Sequence, residues 1–258
     1  MLSKTISKLS VPFAEFSLRR NIRRKMAKIN LEFQAIENNR NKWKAQNLFY
    51  LTKHCKQNVP YYTDLFAKTN FHPENILKDL KYFEDIEPLN KSLLKANTDK
   101  LLSKLNDKSQ LFERKTNGST GENTSVFYDQ EALDWSSATS FYTQELLGKK
   151  LSENEIYITS QDIVNNTWSK IISEKAKCVT LNRKNVYYKD LGDDELDTIL
   201  KTLKNHDPKI VHSTPSIIYA LSQYLYHSPT INLKLNKIIT TGELLDPIKK
   251  ERIESTFN

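Results

Sequence analysis

Thr116, Asn117, Gly118, Ser119, Thr120, Gly121, Glu122 and Asn123 form a polar stretch with two glycines three positions apart. Glycine takes backbone conformations closed to other residues and leaves no side chain over a loop, so successive N–H groups can converge on an anion. Ser119 and Thr120 add hydroxyl donors to that cradle. Phosphate binding is the chemistry such a loop suits. A hairpin loop that favours Asn, Gly, Ser and Thr for conformational reasons has the same composition, and these residues alone leave both readings open. The flanks, residues 111–115 and 124–128, carry aromatic and β-branched side chains, which predicts strand, loop, strand.

The elements that must position this loop follow it. Asp129 can cap a helix carrying Leu133, Phe141 and Leu147 and stopping at Gly148. Ile156, Tyr157 and Ile158 predict a strand, and Cys178, Val179 and Leu181 are a further strand candidate. Asp193 is the expected cap of a helix in which Leu196, Ile199, Leu200 and Leu203 fall on one apolar face, with Pro208 as its stop. Residues 209–212 predict the next strand; Thr214 as cap and Pro215 at the first helical position then open a helix with Ile217, Ala220, Leu221, Tyr224 and Leu225 on one face. Residues 237–241 read as a strand, Gly242 and Glu243 as a turn, and Asp246 with Pro247 as the start of a last helix. Repeated strand and helix units imply an α/β fold with a partly parallel sheet.

In open α/β sheets, ligands sit outside the carboxyl ends of the strands. Two turns leave such ends here: His212, Ser213, Thr214, Pro215 and Ser216, and Thr240, Thr241, Gly242 and Glu243. The chain has only five glycines, and three of them are Gly118, Gly121 and Gly242, so these positions are expected to need backbone freedom. Glu243 could receive an adenine amino group or support a metal-bound phosphate; capping the next helix is the commoner role for a carboxylate in that place. His212 reads as a core or turn histidine. The acidic run at 190–197 reads as a helix start, where carboxylates favour the positive end of the dipole.

Ahead of the loop, residues 14–58 contain neither proline nor glycine, and Leu48, Leu51 and Cys55 mark one face of a helix ending before Pro60. Tyr61, Tyr62, Leu65, Phe66 and Phe71 read as core, and Asn90 as the cap of a short helix through Leu93 and Leu94. With 258 residues, 38% of them hydrophobic, the chain can bury a substantial core. It has no apolar run of membrane-spanning length and no signal-peptide core, so a cytoplasmic location is expected. Cys55 and Cys178 have no partners at metal-ligand spacing.

The net charge of +8 is concentrated at one end. Residues 1–28 hold eight basic side chains against Glu15, which leaves a nearly neutral body and argues against nucleic acid as a partner. Phe13, Phe16, Leu18, Ile22 and Met26 lie between those charges, so the segment could rest on an anionic membrane surface or pack as an ordinary helix with a solvated face.

The loop is not a Walker loop, which needs four residues between its glycines and Lys then Ser or Thr after the second; nor is it a dinucleotide fingerprint, which needs a third glycine. The order Thr, x, Gly, Ser, Thr, Gly, Glu at 116–122 resembles the phosphate loop of adenylate-forming enzymes, with Asn117 at the second position and Asn123 where proline is usual. NVPYYTDLF at 58–66, PLNKSLLKANTDKLL at 88–102 and IITTGELLDPIKKERIESTF at 238–257 are similar, in order and spacing, to the phenylacetate-CoA ligase family, in particular its capsular polysaccharide biosynthesis branch.

That resemblance implies ATP-dependent activation of a carboxylic acid, with magnesium, to an acyl-adenylate, followed by transfer to the thiol of coenzyme A or a carrier protein. It implies that Thr116, Gly118, Ser119, Thr120 and Gly121 hold the departing phosphates, that Gly242 and Glu243 lie beside the adenine, and that Ser213, Thr214, Pro215 and Ser216 wall the pocket. No residue is assigned as a catalytic base and none as a metal ligand. The fold expected is α/β, an incomplete adenylate-forming domain over 59–258 preceded by a basic helical segment over 1–58. The family's later motifs for magnesium, ribose and the catalytic lysine would come after Asn258, so the isolated chain is expected to be inactive or poorly soluble. Two rivals stand beside this reading: a non-catalytic binding module that retains the loop, and a sugar-nucleotide enzyme using the 190–197 carboxylates.

Overall fold

A computed structural model of the protein describes residues 2–36, 39–115, 124–160, 168–227 and 231–258. In chain order it begins with α1 (Leu2–Ser17), α2 (Ile22–Ile36), α3 (Arg40–Asn58) and α4 (Pro60–Lys68). Asn39 starts α3 by accepting the Lys42 N–H, and α3 stops at Asn58 because Val59 precedes a proline and is extended. Pro60 then takes the first position of α4, where its missing N–H costs nothing. Two 3₁₀ turns, Pro73–Leu77 and Leu80–Asp85, lead to α5 (Lys91–Ala96), which Asn90 caps through the Leu93 N–H at 2.9 Å as expected.

The two predicted flanking strands are present as β1 (Phe112–Lys115) and β2 (Ser125–Tyr128), paired antiparallel with Phe112 opposite Tyr128 and Lys115 opposite Ser125. The loop between them, 116–123, lies outside the described residues. Asp129 caps α6 (Gln130–Leu146) by accepting the Ala132 N–H at 2.7 Å. Gly148, at φ +79°, donates its N–H to the Glu145 carbonyl and ends that helix.

The chain divides into two compact units, residues 21–142 and residues 1–20 with 143–258. In the first, Ala45, Phe66, Phe71 and Ile76 form a core with Leu48, Cys55, Tyr62 and Tyr82 around them, so the aromatics of 61–71 do pack inside. Phe71 lies 4.6 Å from the Phe66 ring and stacks on Tyr82 at 4.8 Å. The buried stripe of α3 is Ala45, Leu48, Thr52 and Cys55, and Leu51 points to solvent, against expectation. Thr52 can replace Leu51 inside because its hydroxyl is satisfied within the helix by the Leu48 carbonyl at 2.7 Å.

The face of α6 also differs from the predicted Leu133, Phe141 and Leu147. Asp134, Ala138 and Tyr142 are its buried positions in this unit, one helical row apart. One of the three is a carboxylate and another the smallest apolar side chain, which is why a pattern of large apolar residues missed them. Asp134 and Tyr142 each have a partner from α2 or its start: Asp134 accepts the Asn21 N–H at 2.7 Å and the Tyr142 hydroxyl meets Asn30 at 3.3 Å.

The second unit holds a parallel sheet in the order β4, β3, β5, β6, built from β3 (Glu155–Ser160), β4 (Arg183–Tyr188), β5 (Ile210–Ser213) and β6 (Ile238–Thr240). The connecting helices are α7 (Trp168–Leu181), α8 (Asp193–His206) and α9 (Pro215–His227), and α10 (Pro247–Phe257) follows β6. Cys178, Val179 and Leu181 are the last turn of α7 and not a strand. Ile171, Glu174, Cys178 and Leu181 are the more covered positions, at helical spacing, and this long period overrides the local β-propensity of Val179. Asn182, at φ +52°, turns the chain into β4.

Gly192 and not Asp193 is the cap of α8. Asp193, Asp194 and Glu195 fill the first turn, and the Glu195 carboxylate reaches back to the N–H groups of Lys189 and Asp190, both at 3.0 Å. The acidic run is therefore a helix start, as its sequence suggested. Asp207 ends α8 in the left-handed region before Pro208. The main core lies against the Ile156, Ile158 and Val211 side of the sheet, filled by Leu196, Ile199, Leu200 and Leu203 of α8, Ile217, Ile218 and Leu221 of α9, and Ile253 and Phe257 of α10.

Candidate functional site

β5 and β6 are adjacent and parallel, so their carboxyl ends open on the same edge of the sheet. The turns after them are the two that the sequence singled out, and the structure joins them. Thr241 donates its N–H to the Ser213 carbonyl at 3.1 Å, extending the strand pairing by one residue. Ser213 is buried and its hydroxyl donates to the Ile158 carbonyl at 3.2 Å, which fixes β5 to β3 at this edge. Pro215 is buried as the first residue of α9, and Ser216 is exposed beside it.

Glu243 makes the second join. Its Oε2 accepts the Ser216 N–H at 3.1 Å and also the Ser216 hydroxyl. The hydrogen bond from the Ser216 hydroxyl holds the Glu243 carboxyl below the usual carboxylate range against the opposing effect of burial, with help from the Ser216 N–H, Thr214 and Lys249. A helix start has N–H groups without intrahelical partners, and a carboxylate there satisfies one of them and faces the positive end of the dipole. Glu243 is thus a cap, but for α9 before it in sequence. The next helix, α10, is capped by Asp246, which accepts the Lys249 N–H at 2.9 Å.

Gly242 stands between these contacts at φ +88°. A Cβ built there would lie 3.8 Å from the Thr214 side chain, an ordinary contact. The backbone angle, and not crowding, is what calls for glycine. Gly242, Glu243 and residues 213–216 are therefore brought together as one ledge at the edge of the sheet. Thr116, Gly118, Ser119, Thr120 and Gly121 lie outside the described residues. Among the described residues no three of His, Cys, Asp and Glu gather as a metal would need.

A charged cluster that the sequence did not suggest lies on the same sheet. Glu155 opens β3 with no solvent exposure, and Lys149 Nζ and Arg183 Nε approach its carboxylate at 3.0 and 2.5 Å. His212 Nε2 is 3.6 Å from Glu155 Oε2, beyond hydrogen-bond distance, and the imidazole stacks on Tyr157 at 4.6 Å. Arg183 covers the same Tyr157 ring at 4.5 Å. Burial raises the cost of ionising Glu155, yet His212, Arg183 and Lys149 outweigh it and hold the carboxyl at about 2. His212 is buried, as a core histidine would be, but it is not the satisfied one expected: among the described residues its Nε2 has no hydrogen-bond partner. Its neighbours escaped notice because Lys149 and Arg183 lie six and 28 residues from Glu155, and only the β3–β4 register, with Glu155 opposite Arg183, brings the last two together.

Neither a protein-family model nor a curated protein sequence matches the chain. Solved structures do. A 2-hydroxyisobutyryl-CoA ligase in the postadenylation state, in complex with R3-HIB-AMP, superposes with a TM-score of 0.62 at 17% identity, covering 86% of this chain and 47% of that one. An open conformation of that ligase with 2-HIB-AMP and CoA also gives 0.62 at 17% identity, covering 86% of this chain and 52% of the other. In its thioesterification state, with the same ligands, the TM-score is 0.59 at 16% identity, with coverage of 86% and 47%. The chain spans about half the length of these ligases. The α/β fold is shared with part of these ligase structures.

Proposed function

We propose that this chain carries the nucleotide-binding part of an ATP-dependent acid-activating ligase. The observation that carries the reading is the fold shared over 86% of the chain with CoA ligase structures that hold an acyl-adenylate. In the reaction, an oxygen of the carboxylic acid attacks the α-phosphorus of ATP. The bond from that phosphorus to the bridging oxygen breaks, and the electron pair leaves with pyrophosphate. A thiol, of coenzyme A or a carrier protein, then attacks the acyl carbon: the C–S bond forms, the C–O bond to AMP breaks with its electron pair leaving on the AMP phosphate, and the thiol proton passes to solvent. The polar stretches also support a finer assignment, to the phenylacetate-CoA ligase branch with a place in surface polysaccharide synthesis.

Both steps demand that charge be neutralised on the leaving group and that the reactants be held in line. Thr116, Gly118, Ser119, Thr120 and Gly121 supply N–H and hydroxyl donors to the departing phosphates; magnesium, when bound, would add positive charge there. Gly242 leaves the adenine edge open, and Glu243 sets the height of the ledge by holding α9. Ser213, Thr214, Pro215 and Ser216 form its wall. No side chain is asked to act as a base, since a carboxylate is already the nucleophile at neutral pH.

Carboxylate-dependent exchange of labelled pyrophosphate into ATP tests the reading, with the substrate acid drawn from aryl and short-chain panels. Ser119→Ala combined with Thr120→Ala is expected to lower exchange by about a hundredfold or more, the usual cost of losing donors to a developing charge, with an unchanged melting temperature. Equal exchange in parent and variant would refute the role of the loop. A parent that neither exchanges nor shows any ATP effect on melting would instead support a non-catalytic binding module.

A further inference from the structure

Within the unit of residues 1–20 and 143–258, α1 lies against α7, and among its described side chains two phenylalanines are left exposed. Phe13 and Phe16 are 72% and 86% exposed, three positions apart on one helix face, and Leu18 follows at 65%. Val11, Pro12, Ala14 and Glu15, on the packed side, are half-buried. Isolated exposed apolar residues are common; two phenyl rings and a leucine within six residues are a patch that a free protein surface seldom carries.

Charge indicates what would cover that patch. Lys4, Lys8, Arg19 and Arg20 stand against Glu15 alone in residues 1–20, whereas the chain beyond residue 28 is close to neutral. Rings at the level of lipid headgroups with basic residues around them are the arrangement of a helix lying in a membrane interface, where apolar burial and attraction to acidic lipid add. At 16 residues α1 is too short to span, and among the described residues no helix is long and apolar enough to cross a membrane.

We propose that α1 and the turn after it seat this chain on an anionic membrane surface, with Phe13, Phe16 and Leu18 entering the headgroup layer and Arg19 meeting lipid phosphates. The docking is separate from nucleotide chemistry and is measured without it. The full chain is sedimented with phosphatidylcholine vesicles and with vesicles containing phosphatidylserine. At about 0.1 M salt, where charges act over roughly 10 Å, binding to the anionic vesicles is expected to exceed binding to the neutral ones by about tenfold or more, and to fall as salt rises.

Phe13→Ser with Phe16→Ser is expected to weaken anionic binding about tenfold or more at unchanged melting temperature, because both rings are exposed in the free protein. Arg19→Asn, which removes the charge and tolerates the left-handed backbone at φ +50°, is expected to cost about fivefold. Equal recovery on both vesicle types would overturn the proposal, and so would anionic binding indifferent to the phenylalanine pair. If those substitutions instead dissolve a dimer seen by light scattering, with no vesicle binding by the parent, the face is a protein interface and the membrane assignment fails.

Discussion

A carboxylate without solvent contact persists at Glu155 because Lys149 and Arg183 bracket it and leave neither charge alone. Removing one partner strands the others. Glu155→Gln is expected to destabilise by about 3–5 kcal/mol in urea unfolding, since the Lys149 ammonium would stay buried without its counter-ion. Replacing Glu155 and Lys149 together with Leu and Met should cost less than the single change, which a double-mutant cycle would read directly. The depressed carboxyl also sets a pH dependence. With a folded value of about 2 and an unfolded one near 4.3, Glu155 stabilises the fold fully above about pH 5 and loses that contribution as pH falls towards 2. Between pH 6 and 3 the urea midpoint of the parent is therefore expected to fall more steeply than that of Glu155→Gln, and parallel curves would contradict the ion-pair account. Glu243 works at the same scale with smaller stakes. Glu243→Ala should cost about 0.5–2 kcal/mol, as loss of a helix cap does, and Glu243→Gln less, because the amide oxygen can still accept the Ser216 N–H.

Most elements were legible because their signals are local. Asn90, Asp129 and Asp246 announce helix starts by capping three residues ahead, and Pro60, Pro215 and Pro247 sit at first helical positions. The strands flanking 116–123 and the i, i+3, i+4, i+7 face of α8 were readable for the same reason. Mistakes came where tertiary partners decide. Cys178–Leu181 looked extended in a window of four, yet the residues that cover the end of α7 recur at helical spacing over eleven. The buried face of α6 could not be seen without α2 beside it. Gly242 belongs to this scale too, since the turn it makes lets β6 hand the chain to α10. Gly242→Ala is expected to cost about 1–2 kcal/mol from its left-handed backbone alone, and Gly242→Asn less. Melting curves of the two variants against the parent check the order, and equal losses would point to crowding in place of torsion.

At the scale of the whole chain, two compact units each carry a core of their own, one built around Phe66 and Phe71 and one around the parallel sheet. The second has the arrangement of strand ends at which α/β folds bind ligands, and 86% of the chain matches about half of a 2-hydroxyisobutyryl-CoA ligase in complex with R3-HIB-AMP. If that half binds nucleotide, ATP at one hundred times its dissociation constant should add about 2.7 kcal/mol to stability, read as a rise in melting temperature that GTP at equal concentration does not reproduce. No shift with any nucleotide would remove the ligand assignment while leaving the fold intact.

Local chemistry along the chain determined most helix starts, the strands other than β4, the α/β class and the two turns of the candidate ledge, because caps, prolines and apolar periods act over a few residues. Only the tertiary structure decided which groups those turns serve. Glu243 caps α9 and not α10, and Glu155 meets Lys149, Arg183 and His212 across the sheet. Such partners are set by strand register and helix packing, which bring distant residues within 4 Å, and no spacing along the chain records that closeness.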